Sequence, residues 1–355
     1  MTRPSPAPPL LLAEAAQHLS QTDRDALHDL YLRGTPDNTL RAYERDLVYV
    51  TAWKAAAFDA PLDWPEAETV ALRFILDHAR DLSEAPLTDP ARITAETLID
   101  AGLRRQLTCP APSTLDRRIA SWRAFHGMRN LANPFEAPLV RQARAKARRA
   151  AARPPAPKSA RPITRDLLED LLATSGPGHR GLRDRALLLT GWASGGRRRS
   201  ELTGLHRADI DLEDFEKSGV VWIRLIETKT TTKGDTPRLV LKGRAARALV
   251  AWIDAGKITG GPLFRAISKS DRVLKRGLAP EAVAHILRRL LVAAGYAPDH
   301  ASPHGLRSGF LTQAALDGAP IQAAMRLSLH RSVSQAQRYY DDVDITENPA
   351  TDLLD

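Results

Sequence analysis

The sequence contains one cysteine, Cys109, among its 355 residues. A single thiol excludes an intrachain disulfide and any zinc site built from several thiolates, and it fits a reducing compartment. No apolar run approaches the roughly 18 residues that span a bilayer. The apolar stretch at residues 9–13 is too short for the core of a signal peptide, and Glu14 follows it at once. These absences predict a cytoplasmic protein with no membrane partner.

The sequence also lacks a phosphate loop of the Gly-x-x-x-x-Gly-Lys-Ser/Thr type, which argues against an ATP-driven enzyme. It shows neither a cluster of metal ligands nor an aromatic-rich RNP-like motif, so no cofactor is expected and an RNA-binding domain is disfavoured. Positive charge is in excess: 51 Lys and Arg residues against 42 Asp and Glu give a net charge of +9. This excess favours a polyanionic partner such as nucleic acid, although a soluble enzyme with a basic surface has the same balance.

The first half of the chain is predicted to be all-helical. Residues 1–24, which begin with a stretch rich in Pro and Ala, are expected to form a disordered leader. Apolar residues then recur every three or four positions from Leu40 to Val50, which is typical of a helix with one buried face. Residues 25–152 are therefore expected to form a helical domain. Its further helices are predicted around 66–81, 93–105, 114–127 and 138–152.

Residues 153–162 contain four prolines, which remove amide donors and fix φ. This segment is predicted to be an extended linker with few contacts on either side. Residues 163–342 are predicted to be a mixed α/β domain, with strands at 220–226 and 238–241 around a polar turn, and residues 343–355 form an acidic tail. The predicted fold class is mainly α with a small β-sheet. The helices of this domain are expected near 164–174, 181–194, 198–204, 244–255, 279–294, 304–317, 320–328 and 333–340.

Four short patterns follow one another in the second half. They are Gly196-Arg-Arg-Arg-Ser-Glu-Leu202, the predicted hairpin lysine in Thr228-Lys-Thr230, His304-Gly-Leu-Arg307, and His330 followed nine residues later by Tyr339. Each pattern alone is weak, but the ordered set resembles the catalytic signature of the tyrosine recombinases, also called the phage integrase family. The helical first half and the proline-rich linker resemble the core-binding, SAM-like domain of that family, in particular its Cre-like branch.

The resemblance implies that Arg198 and Arg307, helped by His330, clamp a DNA phosphate. A phosphodiester is negatively charged, and the transition state spreads further charge over its non-bridging oxygens, so cationic donors must be in place before reaction. Arginine suits this role because its planar fork stays charged and grips phosphate with two bonds. Glu201 lies three residues after Arg198 on the same helical face and is expected to orient the cationic cluster.

The resemblance makes Tyr339 the nucleophile. A tyrosine phenol has an ordinary pKa of about 10 and must lose its proton as it attacks. His304 is the expected general base, and Lys229 the expected general acid for the departing 5′ oxygen. The product is a 3′-phosphotyrosine ester that conserves the bond energy, so neither ATP nor a metal is expected.

Several of these assignments have a rival close by. The family arginine stands two residues before the serine, which selects Arg198 from the run of three, and Lys229 competes with Lys233. Tyr340 competes with Tyr339, and the spacing from His330 favours Tyr339. Singly, His304, Arg307 and His330 are also compatible with structural roles. The family commonly has glycine just before the last histidine, where this chain has Leu329.

Basic residues on the predicted helices of the first half are the candidate DNA contacts. A charged stripe is usually the solvated face of an amphipathic helix, and the family resemblance is the reason to expect phosphate contacts instead. The candidates are Arg41, Arg45, Arg117, Arg118, Arg141 and Arg144.

The sequence thus predicts a site-specific recombinase acting on double-stranded DNA at an inverted-repeat site. The resemblance further implies a homotetramer on two paired sites and strand exchange through a Holliday junction. Two alternatives remain open from the sequence: a type IB topoisomerase-like relaxing enzyme with the same chemistry, and a non-catalytic DNA-binding regulator derived from a recombinase.

Overall fold

The computed structural model describes residues 20–152, 159–225 and 237–341, apart from the side chain of Arg24. Most of the expected leader, both candidate lysines of the hairpin and the acidic tail lie outside these ranges. The chain divides into two compact units, with the boundary between residues 155 and 156. Within the described ranges, no helix is both long enough and apolar enough to cross a membrane.

The first unit is built from helices, as predicted. Its core is aromatic: Trp53, Phe74 and Trp122 are fully buried and meet edge to face, with ring centroids 4.9–6.3 Å apart. Such pairs add directional packing to the hydrophobic burial that holds the bundle together. The helices are α1 (Gln21–Gly34), α2 (Asp37–Phe58), α3 (Glu68–Ala79), α4 (Pro90–Asp100), α5 (Pro112–Met128) and α6 (Pro138–Ala150), with a 3₁₀ turn at Pro134–Glu136.

Helix α1 starts earlier than the sequence pattern indicated. The hydroxyl of Ser20 accepts the backbone N–H of Asp23, and the Asp23 carboxylate accepts the backbone N–H of Ser20. This reciprocal capping box satisfies two amides at the start of the helix. Residues 21–24, which were predicted to belong to the leader, are therefore helical.

The second unit combines helices with two small antiparallel sheets. The middle strand of the three-stranded sheet pairs with one strand on each side, with Val221 opposite Leu241 and Arg224 opposite Arg238. Two helices pack together around buried Leu187, Leu249 and Trp252. The helices are α7 (Arg165–Ala173), α8 (His179–Ala193), α9 (Arg199–Thr203), α10 (Phe215–Ser218), α11 (Gly243–Ala255), α12 (Pro280–Ala293), α13 (Gly305–Leu316), α14 (Ile321–Ser328) and α15 (Val333–Asp341); the strands are β1 (Ile210–Asp211), β2 (Val221–Arg224), β3 (Arg238–Leu241), β4 (Arg265–Ile267) and β5 (Val273–Gly277).

The mainly helical fold with a small sheet is confirmed, and the missed elements are all short. Strand β1 has two residues and helix α10 has four, which is too short for any period to show. The hairpin of β4 and β5 is rich in basic residues and lacks the apolar alternation typical of strands. Backbone pairing of Arg265 with Gly277 and of Ile267 with Val273 holds the two strands of this hairpin together.

The prediction of few contacts along the linker is wrong for its last residues. The Ser159 hydroxyl accepts the backbone N–H of Ser302 at 2.9 Å, and the Ile163 backbone N–H donates to the Gly305 carbonyl at 2.8 Å. Trp192 donates its indole N–H to the Ile163 carbonyl at 2.8 Å. Ser159 and Ile163 are buried, so residues 159–163 pack against the start of α13. Proline limits helix formation here, but it does not prevent an extended segment from docking.

Gly309 permits this close docking, and its replacement by alanine is expected to destabilise the second unit. An alanine Cβ at this position would lie 1.9 Å from the Ile163 carbonyl oxygen, so the backbone itself would have to move. We expect a loss of about 3 kcal/mol or more in the free energy of unfolding, measured by denaturant titration. Gly127→Ala, in α5 with open space around the new methyl, should be neutral or stabilising. Equal changes in the free energy of unfolding for Gly309→Ala and Gly127→Ala would contradict the docking of residues 159–163 against α13.

Candidate active site

The turn that precedes α9 is pressed against two other elements. Gly195 and Gly196 have φ values of 95° and 70°, in the left-handed region that favours glycine. A Cβ on Gly195 would lie 2.3 Å from the Leu327 carbonyl, and a Cβ on Gly196 would lie 2.3 Å from the Cα of Arg307. The two glycines therefore bring the arginine run directly against α13 and the end of α14.

The three consecutive arginines occupy different environments. The side chain of Arg197 is 2% exposed, that of Arg198 is 32% exposed, and Arg199 is exposed at the start of α9. Arg198 donates from Nη1 to Oε1 of Glu201 at 2.6 Å, and its backbone N–H donates to Oε2 at 3.2 Å. Glu201 is itself buried. The structure thus places Glu201 against Arg198 while part of the Arg198 side chain still reaches solvent.

Arg307 lies in the first turn of α13 and is buried beside the arginine run. Its Nη1 donates to the Gly196 carbonyl at 3.3 Å, and its Nη2 lies 3.1 Å from the ring nitrogens of His330. Burial, together with the nearby charges of Arg197 and Arg198, lowers the pKa of Arg307 to about 10. At neutral pH the guanidinium is still charged, and a charge held in a low-dielectric site acts strongly on an anion.

Tyr339 and its neighbour Tyr340 point to different partners. The Tyr339 hydroxyl lies 3.3 Å from Nε2 of His304, and the ring of Tyr339 is 6.3 Å from that of His330 between centroids. The Tyr340 hydroxyl donates to the Ala319 carbonyl at 3.0 Å. Helix α15 therefore directs residue 339 towards the histidines and uses residue 340 to hold its own position.

A cleft of about 290 Å³ opens between the arginine run and the start of α13. It is lined by polar and cationic groups from the arginine run and from the start of α13. This lining suits an anionic group the size of a phosphate. The lining residues are Arg197, Arg198, Arg199, Ser302, Pro303, His304 and Arg307.

His330 follows a residue in an unusual conformation. Leu329, at the position where the family commonly has glycine, adopts φ 54° and ψ 40°, and its partly buried side chain packs against the core. The left-handed conformation is costly for a branched side chain, and packing offsets that cost here. The Ser328 hydroxyl lies 2.8 Å from Nδ1 of His330 and helps to hold the ring in place.

His330 should make the protein sensitive to acid. Burial and the charge of Arg307, with smaller contributions from other neighbouring cations, lower the pKa of His330 from 6.5 to about 4. The unfolded chain then binds this proton more readily than the folded chain, so the contribution to stability is complete above about pH 6.5 and is lost as the pH falls towards 4. Because the ring is only partly buried, solvent screening reduces this effect, and we expect a loss of about 1–2 kcal/mol.

Denaturant unfolding of the wild type and of His330→Gln at pH 7 and pH 4.5 measures this effect. The glutamine variant should lose less stability between the two pH values than the wild type does. The same loss in both proteins would show that His330 is not responsible.

The predicted catalytic residues that the structure describes converge on one side of the second unit. Arg198, Arg307, His304, His330 and Tyr339 meet there through the contacts given above. Lys229 lies outside the described residues, as does its rival Lys233. The role of Lys229 stays a prediction.

Arg197 was missed as a candidate because the family pattern selects the next residue. Its burial depends on the approach of α14, which local sequence does not reveal. Within the described ranges, no group of three or more His, Cys, Asp or Glu side chains is placed to hold a metal ion.

The first-unit arginines differ in how free they are to contact DNA. Arg118 does not follow the prediction of exposure: its guanidinium stacks 3.2 Å from the Tyr49 ring centroid, and burial lowers its pKa. Arg117 pairs with the buried Asp46, and Arg144 donates to Asp116 at 2.8 Å. These three have structural partners that the periodicity did not indicate. The exposed members of the set are Arg41, Arg45, Arg117 and Arg141.

Comparison with known proteins gives a consistent result. Residues 161–344 match the phage integrase family. The chain is 28% identical to an integrase/recombinase xerD homolog of Selenomonas ruminantium over 327 residues, which cover 90% of this chain and 85% of that protein. It is 38% identical to tyrosine recombinase XerC of Pelobacter propionicus over 162 residues, or 45% of this chain and 47% of that relative.

Solved structures share the fold at low sequence identity. The Tn1549 transposon integrase in complex with circular intermediate DNA aligns with a TM-score of 0.53 and 14% identity, covering 97% of each chain. The XerH site-specific recombinase bound to palindromic difH substrate aligns with a TM-score of 0.51 and 15% identity, covering 96% of this chain and 86% of that one.

Proposed function

The chain belongs to the phage integrase family of tyrosine recombinases, and from this premise we propose that it is a site-specific recombinase of double-stranded DNA, with Tyr339 as its nucleophile. The observation that carries the proposal is the convergence of two arginines, two histidines and this tyrosine beside one cleft. The XerH recombinase and the Tn1549 integrase, which share the fold, were solved on DNA. The Cre-like branch remains a prediction.

Cleavage would begin with a phosphate of one strand bound in the cleft. Arg198 and Arg307 would donate to its non-bridging oxygens, where charge increases in the transition state. Glu201 is already bonded to Arg198 and would keep that guanidinium from swinging away. His330, neutral because of its low pKa, would offer a ring N–H to the same phosphate.

The reaction would then proceed by in-line attack. The Tyr339 oxygen would bond to phosphorus while His304, 3.3 Å away, takes the phenolic proton. The bond from phosphorus to the 5′ oxygen would break, and that oxygen would accept a proton from Lys229. The resulting 3′-phosphotyrosine keeps the energy of the broken ester, so attack by a 5′ hydroxyl can rejoin the strand without ATP or a metal ion.

Exchange between two sites requires several copies of the enzyme. We propose four protomers on two paired inverted-repeat sites, with sequential strand exchange through a Holliday junction. Arg41, Arg45 and Arg141, which are exposed in the first unit, would contact phosphates and position the duplex without specifying its sequence.

Covalent capture on DNA tests the proposed function. The full chain is incubated with a pool of random-sequence duplexes that carry a nick, so that the cleaved end is lost and the adduct is trapped. We expect protein–DNA adducts enriched for one sequence. Mass spectrometry should locate the attached nucleotide on residue 339. Adducts without sequence enrichment, together with relaxation of any supercoiled plasmid, would indicate a type IB topoisomerase-like enzyme. Binding without adducts would indicate a non-catalytic regulator.

A further inference from the structure

Arg197 is a charged residue that the proposed reaction does not yet use. It is the most buried of the three consecutive arginines, and its Nη2 donates to the Leu327 carbonyl at 2.7 Å. Its Nη1 lies 3.7 Å from Oε2 of Glu201, and its Nε has no hydrogen-bond partner among the described residues. Burying a charged group with an unsatisfied hydrogen-bond donor costs free energy of folding. This cost favours a functional reason for the presence of Arg197.

The carbonyl that accepts the Arg197 hydrogen bond belongs to Leu327, on α14 and close to His330. Leu327 is three residues before His330, and the Ser328 and Leu329 turn connects them. Gly195 approaches the same carbonyl group so closely that no side chain fits between them. The Arg197 guanidinium therefore bonds the arginine turn (residues 195–198) to the histidine turn (residues 327–330).

A second buried arginine in the same unit shows what a purely structural arrangement looks like. Arg183 donates from Nε to Asp184 at 2.5 Å and from Nη1 to the Arg265 carbonyl at 3.2 Å. Asp184 is also bonded to Arg289, which is partly exposed. In contrast, Arg197 shares Glu201 with Arg198 and lies near a third guanidinium, that of Arg307. Buried positive charge thus accumulates around the histidine turn.

We propose that Arg197 is a positioning residue for the recombination reaction: it holds the histidine turn against the arginine turn and so places the His330 ring beside Arg307 and the bound phosphate. This inference rests on the proposed function. Arg197 acts through His330, because its own guanidinium is bonded to the Leu327 carbonyl and paired with Glu201.

The charge of Arg197 adds a second effect. His330 is surrounded by cations, and each of them disfavours a further positive charge on the ring. Removing one buried cation should make the ring easier to protonate. The charged and titratable groups that face His330 are Arg307 and His304 at α13, Arg197 and Arg198 at the arginine turn, and Tyr339 on α15, while Glu201 lies behind the arginines.

The test uses the full chain with Arg197→Met, Arg197→Lys and, as a matched control, Arg183→Met. The first readout is the NMR titration of histidine rings in the DNA-free protein, with the His330 signal assigned from His330→Gln. The second is single-turnover cleavage of a nicked duplex recovered by covalent capture, with DNA affinity measured in parallel.

We expect the midpoint of the His330 titration to rise by about one pH unit in Arg197→Met and to stay unchanged in Arg183→Met. Cleavage by Arg197→Met should fall roughly tenfold or more at an affinity within about twofold of the wild type. Arg197→Lys keeps the charge but loses the guanidinium fork, so its titration should match the wild type while its cleavage is slower. Arg183→Met should lower stability without slowing cleavage per folded molecule.

Wild-type cleavage and a wild-type titration in Arg197→Met would overturn the inference. If that variant does not fold, wild-type cleavage by Arg197→Lys would overturn it instead. Absence of any adduct with the wild-type protein would refute the proposed function, and the titration on DNA-free protein would still decide whether Arg197 acts on His330.

Discussion

Tyr339→Phe is expected to bind its DNA site with unchanged affinity and to form no covalent adduct. The change removes one oxygen, which lies 3.3 Å from Nε2 of His304. Without it no phosphoester can form, so the loss should be complete rather than partial. Adduct formation on a nicked duplex and a mobility-shift titration measure the two properties separately.

Tyr340→Phe is the matched control, because the same atom is removed one residue later. The Tyr340 hydroxyl donates to the Ala319 carbonyl, and its loss should cost about 1 kcal/mol of stability while leaving the adduct. Adducts that persist in Tyr339→Phe and vanish in Tyr340→Phe would reverse the assignment of the nucleophile.

Arg307→Lys should slow cleavage by about a hundred- to a thousandfold while DNA affinity stays within a few-fold. The lysine keeps the positive charge, so long-range attraction to DNA is preserved. It loses the planar fork that lets Arg307 bond the Gly196 carbonyl and His330 while it faces the cleft. Single-turnover cleavage on a captured duplex measures the rate.

Arg244→Lys controls for the exchange of arginine for lysine as such. Arg244 forms an exposed ion pair with Glu169 on the surface of the second unit, and its replacement should alter neither rate nor affinity. If Arg307→Lys cleaves DNA at a rate close to that of Arg244→Lys, positive charge at position 307 is sufficient for cleavage. The planar guanidinium and its paired hydrogen bonds would then not be required.

The family, the helical architecture and the identity of the converging residues were accessible from the sequence. Helix periodicity depends on neighbours three and four positions away, so α2, α5 and α6 were predicted from local pattern. The order of the four motifs is also a property of the chain, and it was sufficient to bring Arg198, Arg307 and Tyr339 together as candidates.

What the sequence did not reveal depends on contacts between distant segments. The burial of Arg197 comes from α14, and the stacking of Arg118 on Tyr49 comes from α2. The docking of residues 159–163 requires two glycines on α13 that lie more than 140 positions away in the chain. The neutral state of His330 likewise follows from burial between distant segments and from cations supplied by other elements. For residues 159–163, a propensity for extended structure does not indicate which surface of the protein this segment contacts.

The Tyr339 hydroxyl lies 3.3 Å from Nε2 of His304 within one chain, so in the proposed assembly of several protomers the base and the nucleophile would come from the same copy. Each copy would supply its own base, clamp and nucleophile, so a neighbour's tyrosine is not needed to complete the centre. Mixing Tyr339→Phe with Arg307→Lys should therefore fail to restore cleavage, since neither mutant can lend its intact half to the other. Recovery of activity in such a mixture would mean that helix α15 is exchanged between subunits on DNA.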